Sequence, residues 1–217
     1  MTRIIPAALD GQSLAVVDVE GNGGQPPEIV EIAVLTLDEP VSREHVSTWL
    51  IRPLQPITSL VTRKVHGISN ADVADCPPWA QVADEVADVL TDRTLIAHNA
   101  SVEHRVLATH LPDWQPPLVL DTLRLAKHVW PGLAGGYGLD RLIAHADLDV
   151  DDSVQDDAEP SVGDKSDRRH RAGYDTWMTT GLLFSLAEQS GLDWPGLVRV
   201  AALPCFDQPD QPQEGLW

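Results

Sequence analysis

Residues 14–24 read LAVVDVEGNGG: four apolar residues, Leu14-Ala15-Val16-Val17, run into two carboxylates, Asp18 and Glu20, and then into glycine punctuation. A short aliphatic and β-branched run bounded by glycine is a buried strand. On a strand, residues i and i+2 share a face. Asp18 and Glu20 therefore stand side by side at the end of a core strand, where like charges repel. Such a pair is costly unless a cation neutralises it. The ion suited to carboxylate oxygens is a hard divalent one, Mg²⁺ or Mn²⁺. D-x-E is common at strand ends, so this reading depends on matching ligands elsewhere in the chain.

Outward from that strand, residues 21–27 are rich in Gly and Pro and predict a hairpin turn. Residues 28–37 (EIVEIAVLTL) and 46–52 (VSTWLIR) follow as strands. Short helices are expected at 58–67 and 71–75, around His66-Gly67-Ile68. Pro77-Pro78 opens a helix over Trp79–Leu90, with Val82, Val86, Val89 and Leu90 in helical period. Thr94–Ala97 is a short buried strand leading to His98-Asn99, with Asn99 placed to cap a helix over Ser101–His110. Residues 118–121 form a fifth strand, followed by helices over Thr122–Val129, Leu139–His145 and 174–189. The pattern predicts an α/β domain with a mixed sheet, spanning 13–190. An N-terminal extension (1–12), an acidic loop at 147–167 and a weakly ordered C-terminal tail (191–217) accompany it.

Composition bounds the function. With 217 residues, 43% hydrophobic and 22% charged, the chain fits one soluble domain with a real core. It shows neither a secretory signal nor a membrane-length apolar run. Cys76 and Cys205 are far apart and without a partner motif, which suits a reducing compartment and suggests neither a disulfide scaffold nor a zinc site. A soluble cytoplasmic protein is expected. The net charge of −18 argues against a broad basic nucleic-acid surface. Residues 147–167 alone account for −8, and a basic cluster of Arg168, Arg169 and Arg171 around His170 follows directly. A local, ion-mediated grip on a single phosphate stays open.

Two later segments answer the opening pair. Glu103 falls in the first turn of the helix after His98-Asn99. Counting back from Leu186 through Leu182 and Met178 puts Asp175 on the buried face of the last long helix. His170 lies five residues earlier, on an exposed edge. Asp18-Val19-Glu20, His98-Asn99 leading to Glu103, and His170-x-Ala172-x-x-Asp175 together resemble the DEDDh 3′→5′ exonucleases of the ribonuclease H-like superfamily. Glu28 to Ala33, Val65-His66-Gly67-Ile68, and Leu120-Asp121-Thr122 continuing to Trp130-Pro131-Gly132 add to the likeness. The 97–101 run and the Trp-Pro-Gly segment most resemble bacterial exonuclease X.

The resemblance implies a three-layer fold with a central five-stranded sheet flanked by helices. It implies two divalent ions, Mg²⁺ or Mn²⁺, held by Asp18, Glu20, Glu103 and Asp175, with His170 as general base. Val19, His98 and Asn99 would contact substrate, a nucleic acid with a 3′ end, single-stranded or frayed DNA being favoured, with no membrane role. Short-RNA exonucleases share these motifs, so RNA is an alternative, and a weakened nuclease fold serving as a binding module is another. Glu103 departs from the pattern, which has Asp at this position, and the extra methylene bears on Mg²⁺ because that ion demands near-octahedral geometry. Val102 stands where an aromatic residue is usual.

Overall fold

The computed structural model describes residues 2–38, 40–57, 65–148, 171–204 and 206. β2 (Leu14–Gly21) is the centre of the molecule. It pairs antiparallel with β3 (Ile29–Thr36), which pairs antiparallel with β5 (Ser47–Leu50). On its other side β2 runs parallel to β6 (Thr94–Ala97), and β6 parallel to β7 (Val119–Asp121). The sheet order is β5-β3-β2-β6-β7, the mixed five-stranded sheet that the sequence predicts.

Side-chain alternation along β2 sorts the two faces. Leu14 and Val16 enter one apolar core together with Leu35, Ile96 and Leu120; Ala15 and Val17 enter the other with Ile32, Val34 and Leu95. Two helices, α1 (Trp79–Leu90) and α2 (Ser101–His110), cover the second core through Val82, Val86, Leu90, Val106 and Leu107. The first is covered by α3 (Thr122–Val129), α4 (Leu139–His145), α5 (Ala172–Ser190) and α6 (Trp194–Ala201). These three layers are the ribonuclease H-like arrangement.

Several local features differ from expectation. α2 has no side-chain cap, and its N-cap position is Ala100. Asn99 instead takes a left-handed φ of 64°, and its backbone N–H donates to Asp121 Oδ1 at 2.9 Å. Residues 71–75 are consecutive turns, closed by bonds such as Asp72 N–H to Ser69 O at 3.1 Å, rather than a helix. The helix expected at 58–67 falls largely outside the described residues, as do Cys205 and all of the acidic loop but Asp147 and Leu148. Within residues 1–12, β1 (Thr2–Arg3) pairs with β4 (Val41–Ser42), and Leu9 is buried in the first core. Past Gly191, α6 packs against α3 and β7. No helix among the described residues is long and apolar enough to cross a membrane.

Candidate active site

The site grows from a fork in the sheet. The registered β2–β6 pairs run from Leu14–Thr94 to Val16–Ile96 and stop there, whereas β2 continues to Gly21 beside β3. Beyond Val16 the two strands part, and β6 turns away through His98 and Asn99 into α2. Asp18 and Glu20 occupy the freed length of β2. They continue the Leu14–Val16 face, which is the face beneath α5. Ligand sites in α/β sheets form where neighbouring parallel strands diverge at their C-terminal ends.

α5 delivers the third carboxylate. Asp175 lies in its first turn and is buried. Asp18, Glu20 and Asp175 each offer an oxygen such that all three atoms lie within 4.8 Å of one another. Glu103 stands outside this group. It comes from α2, in the opposite layer, and is 9% exposed. Its charge is nevertheless felt at Asp18. The sequence thus places all four carboxylates at one edge of β2, but the structure gathers three tightly and sets the fourth apart.

The electrostatics follow from crowding. Burial first, and then the charges of Glu103 and Glu31, hold the Asp18 carboxyl well above the usual carboxylate range. Burial, Asp18 and Asp175 push Glu20 up to about 9, with Arg171 pulling weakly the other way. Burial raises Glu103 to about 7. Its Oε2 is buried and meets no hydrogen-bond donor among the described residues. Crowded anionic oxygens and an orphaned buried carboxylate oxygen make a donor set that fits a hard divalent cation. Asp18, Glu20 and Asp175 are the residues placed to hold it.

Of the residues expected to meet substrate, Asn99 is exposed and Val19 is half-buried against the second core. His98 has both ring nitrogens engaged within the protein, Nδ1 with Thr122 Oγ1 at 3.0 Å and Nε2 with the Tyr137 carbonyl at 2.9 Å. Burial lowers its pKa. His98 thereby ties residues 131–138 to the end of β6. His66 is likewise internal: Nδ1 accepts from the Ile68 N–H at 3.1 Å and Nε2 lies 3.2 Å from the Gly21 carbonyl. It serves the turn, as its place beside Gly67 suggests. His170, Arg168 and Arg169 lie outside the described residues.

Two residues near the site escaped sequence reasoning in this role. Arg171, grouped above with an exposed basic cluster, is buried and forks onto Glu31, with Nη2 to Oε1 at 2.6 Å and Nε to Oε2 at 2.8 Å. A glutamate inside the apolar strand IVEIAVLT was the available signal, but nothing local names its partner. Asp121, also buried, accepts from the Asn99 and Leu123 N–H groups, each at 2.9 Å, and so fixes the starts of α2 and α3.

Comparison with known proteins agrees with this geometry. The RNase_T exonuclease family model matches residues 15–183. The chain belongs to this exonuclease family. Exodeoxyribonuclease 10 of Escherichia coli K12 is 32% identical over 178 residues, covering 82% of this chain and 70% of that protein. The 3′-5′ exonuclease DinG of Bacillus subtilis 168 is 30% identical over 207 residues, covering 90% of this chain; the match spans only 20% of the length of DinG. Among solved structures, exonuclease X in complex with 5′ overhanging duplex DNA superposes with a TM-score of 0.63 at 27% identity, covering 86% of this chain and 98% of that one. The kinship with exonuclease X expected from the motifs therefore extends over most of this exonuclease domain.

Proposed function

We propose that the chain is a metal-dependent 3′→5′ exonuclease that releases nucleoside 5′-monophosphates from the 3′ ends of nucleic acid, DNA in preference to RNA. The observation that carries this reading is the group of Asp18, Glu20 and Asp175, three oxygens within 4.8 Å in a chain of the exonuclease family. Two divalent ions, when bound, would supply a nucleophile at neutral pH and charge stabilisation at the phosphate. Asp18, Glu20 and Asp175 hold that charge at the fork of the sheet, and Glu103 completes the set from α2. His170 takes the proton from the attacking water, imidazole being the side chain that changes charge near neutral pH. Asn99 and Val19 flank the terminal nucleotide, and His98 contributes through the loop it secures. DNA is favoured because a relative matched over 82% of this chain and 70% of its own length is named an exodeoxyribonuclease. Two cysteines without a partner motif support a cytoplasmic location.

The test is a release assay on 3′-labelled and 5′-labelled single-stranded DNA and RNA with Mg²⁺ or Mn²⁺. Stepwise shortening from the 3′ end, faster on DNA, is expected. Asp18→Ala should abolish it, and His170→Ala should lower kcat by about 10²–10⁴. No nucleotide release with either ion refutes the enzyme reading and leaves a binding module; a faster RNA ladder reverses the substrate preference.

A further inference from the structure

The Glu31–Arg171 pair joins β3, the strand beside Asp18 and Glu20, to α5, which carries Asp175. Glu31 sits directly opposite Glu20 in the β2–β3 register, so the two side chains share one face of the sheet. Arg171 is the N-cap of α5. Both residues are buried, the side chains being 1% and 8% exposed for Glu31 and Arg171. The pairing is bidentate, the geometry that gives an Arg–carboxylate pair directional as well as energetic weight. A third bond extends it: the Ala172 N–H, one of the orphan donors of the helix start, donates to Glu31 Oε2 at 3.0 Å. Glu31 therefore does for α5 what a capping side chain does elsewhere, but from a strand 140 residues away.

The next turn inherits this anchor. The Asp175 N–H donates to the Arg171 carbonyl at 3.0 Å, so the residue gripped by Glu31 begins the turn that presents Asp175. Two further contacts seat the same turn on the sheet. Thr176 Oγ1 donates to the Ala33 carbonyl at 3.4 Å. A Cβ at Gly173 would lie 3.2 Å from Thr48 Oγ1, so the helix packs tightly against β5 at this point. A buried ion pair is a poor means of gaining stability, since desolvation offsets much of its attraction. Its worth lies in fixing one arrangement.

We propose that Glu31 and Arg171 are positioning residues of the metal site: they set the height and rotation of the first turn of α5, and so the distance from Asp175 to Asp18 and Glu20. This rests on the metal-site reading above. Partners that orient metal ligands typically cost about 10–100-fold in metal affinity or activity when removed. The same loss is expected here without any direct contact between Glu31 and an ion.

The experiment compares the full chain with Glu31→Gln, Arg171→Lys and the double variant Glu31→Gln/Arg171→Met. The double variant leaves no buried charge unpaired and so guards against simple unfolding. Mn²⁺ affinity is measured by titration, thermal unfolding with and without Mn²⁺, and kcat and KM on single-stranded DNA. Mn²⁺ affinity should fall about tenfold or more in Glu31→Gln and in the double variant. With Mn²⁺ saturating, so that each variant is loaded, kcat should still fall while KM changes less than about twofold, and Arg171→Lys should retain part of the Mn²⁺ affinity and of kcat by keeping the charge and losing the fork. A double variant that folds and binds Mn²⁺ like the wild type overturns the proposal, as does a single variant that loses thermal stability with its Mn²⁺ affinity intact. If the wild type binds Mn²⁺ but cleaves nothing, the exonuclease reading falls while the titration still decides the positioning role.

Discussion

At Glu103 one methylene decides how a carboxylate reaches ions that Asp18 would share. The side chain approaches from α2, in the layer opposite Asp175, with Oε2 buried and without a donor. A longer side chain reaches further from α2, but adds a rotor that must be fixed. Glu103→Asp is expected to keep or raise the Mg²⁺-supported cleavage rate, read as nucleotide release against Mg²⁺ concentration; complete loss would mean the site is built around Glu. Titration offers a second test. A carboxyl held above its free value binds its proton more tightly folded than unfolded, so it removes stability as pH rises. For Glu20 this window opens near 4.5 and closes past about 9. A divalent ion relieves the same repulsion, so the rise in Tm on adding Mn²⁺ should grow between about pH 5 and pH 8. His66 and His98, with lowered pKa values, lose stability as pH falls in both metal states and largely cancel from that difference. A pH-independent Mn²⁺ shift would contradict the assignment. At this scale the sequence is uneven. Asp18 and Glu20 are legible because their relation is local, two residues along a strand. Arg171 is not: it looks like one member of a basic run until the fold brings Glu31 to it.

The elements were legible wherever period and punctuation agreed. Trp79–Leu90 follows Pro77-Pro78 and repeats its valines at helical spacing, and its observed bounds are those expected. α5 was legible for a coarser reason. Counting from Leu186 back to Asp175 finds an inward-facing position, but the helix is wrapped on nearly every side, with residues 174–184 all buried. What fixes Asp175 is the anchoring of the first turn, which no periodicity reveals. α6 had its signals present in miniature, an Asp193 N-cap acceptor and Pro195 in the first turn, within a segment whose later composition reads as a tail. Asp193 Oδ1 accepts from the Gly196 N–H at 2.9 Å. Asp193→Ala should therefore cost about 1 kcal/mol of stability, measured by urea unfolding, with kcat unchanged because α6 packs on α3 and β7, away from Asp18 and Glu20. A proportionate loss of kcat would tie α6 to the site in a way its contacts do not.

For the whole molecule the governing quantity is charge. At −18 the chain repels a polyanion at long range. Proteins that bind DNA by neutralising phosphates with Lys and Arg release counterions, and those with many such contacts lose about 10³–10⁵ in affinity between 50 and 200 mM salt. With ions held at Asp18, Glu20 and Asp175, the attraction would instead be concentrated at one point, where carboxylates from β2 and α5 converge and bound cations would invert the local field. Monovalent salt then has two opposed effects: it screens the favourable pull of the loaded site and the unfavourable push of the acidic surface. The two should largely offset. KM for single-stranded DNA, measured at fixed free Mg²⁺, is expected to change by less than about tenfold between 50 and 200 mM NaCl. Removing the divalent ion should weaken binding most at low salt, where the repulsion is least screened. A steep loss with NaCl would mean that a basic track, rather than the ions at Asp18, Glu20 and Asp175, carries the substrate.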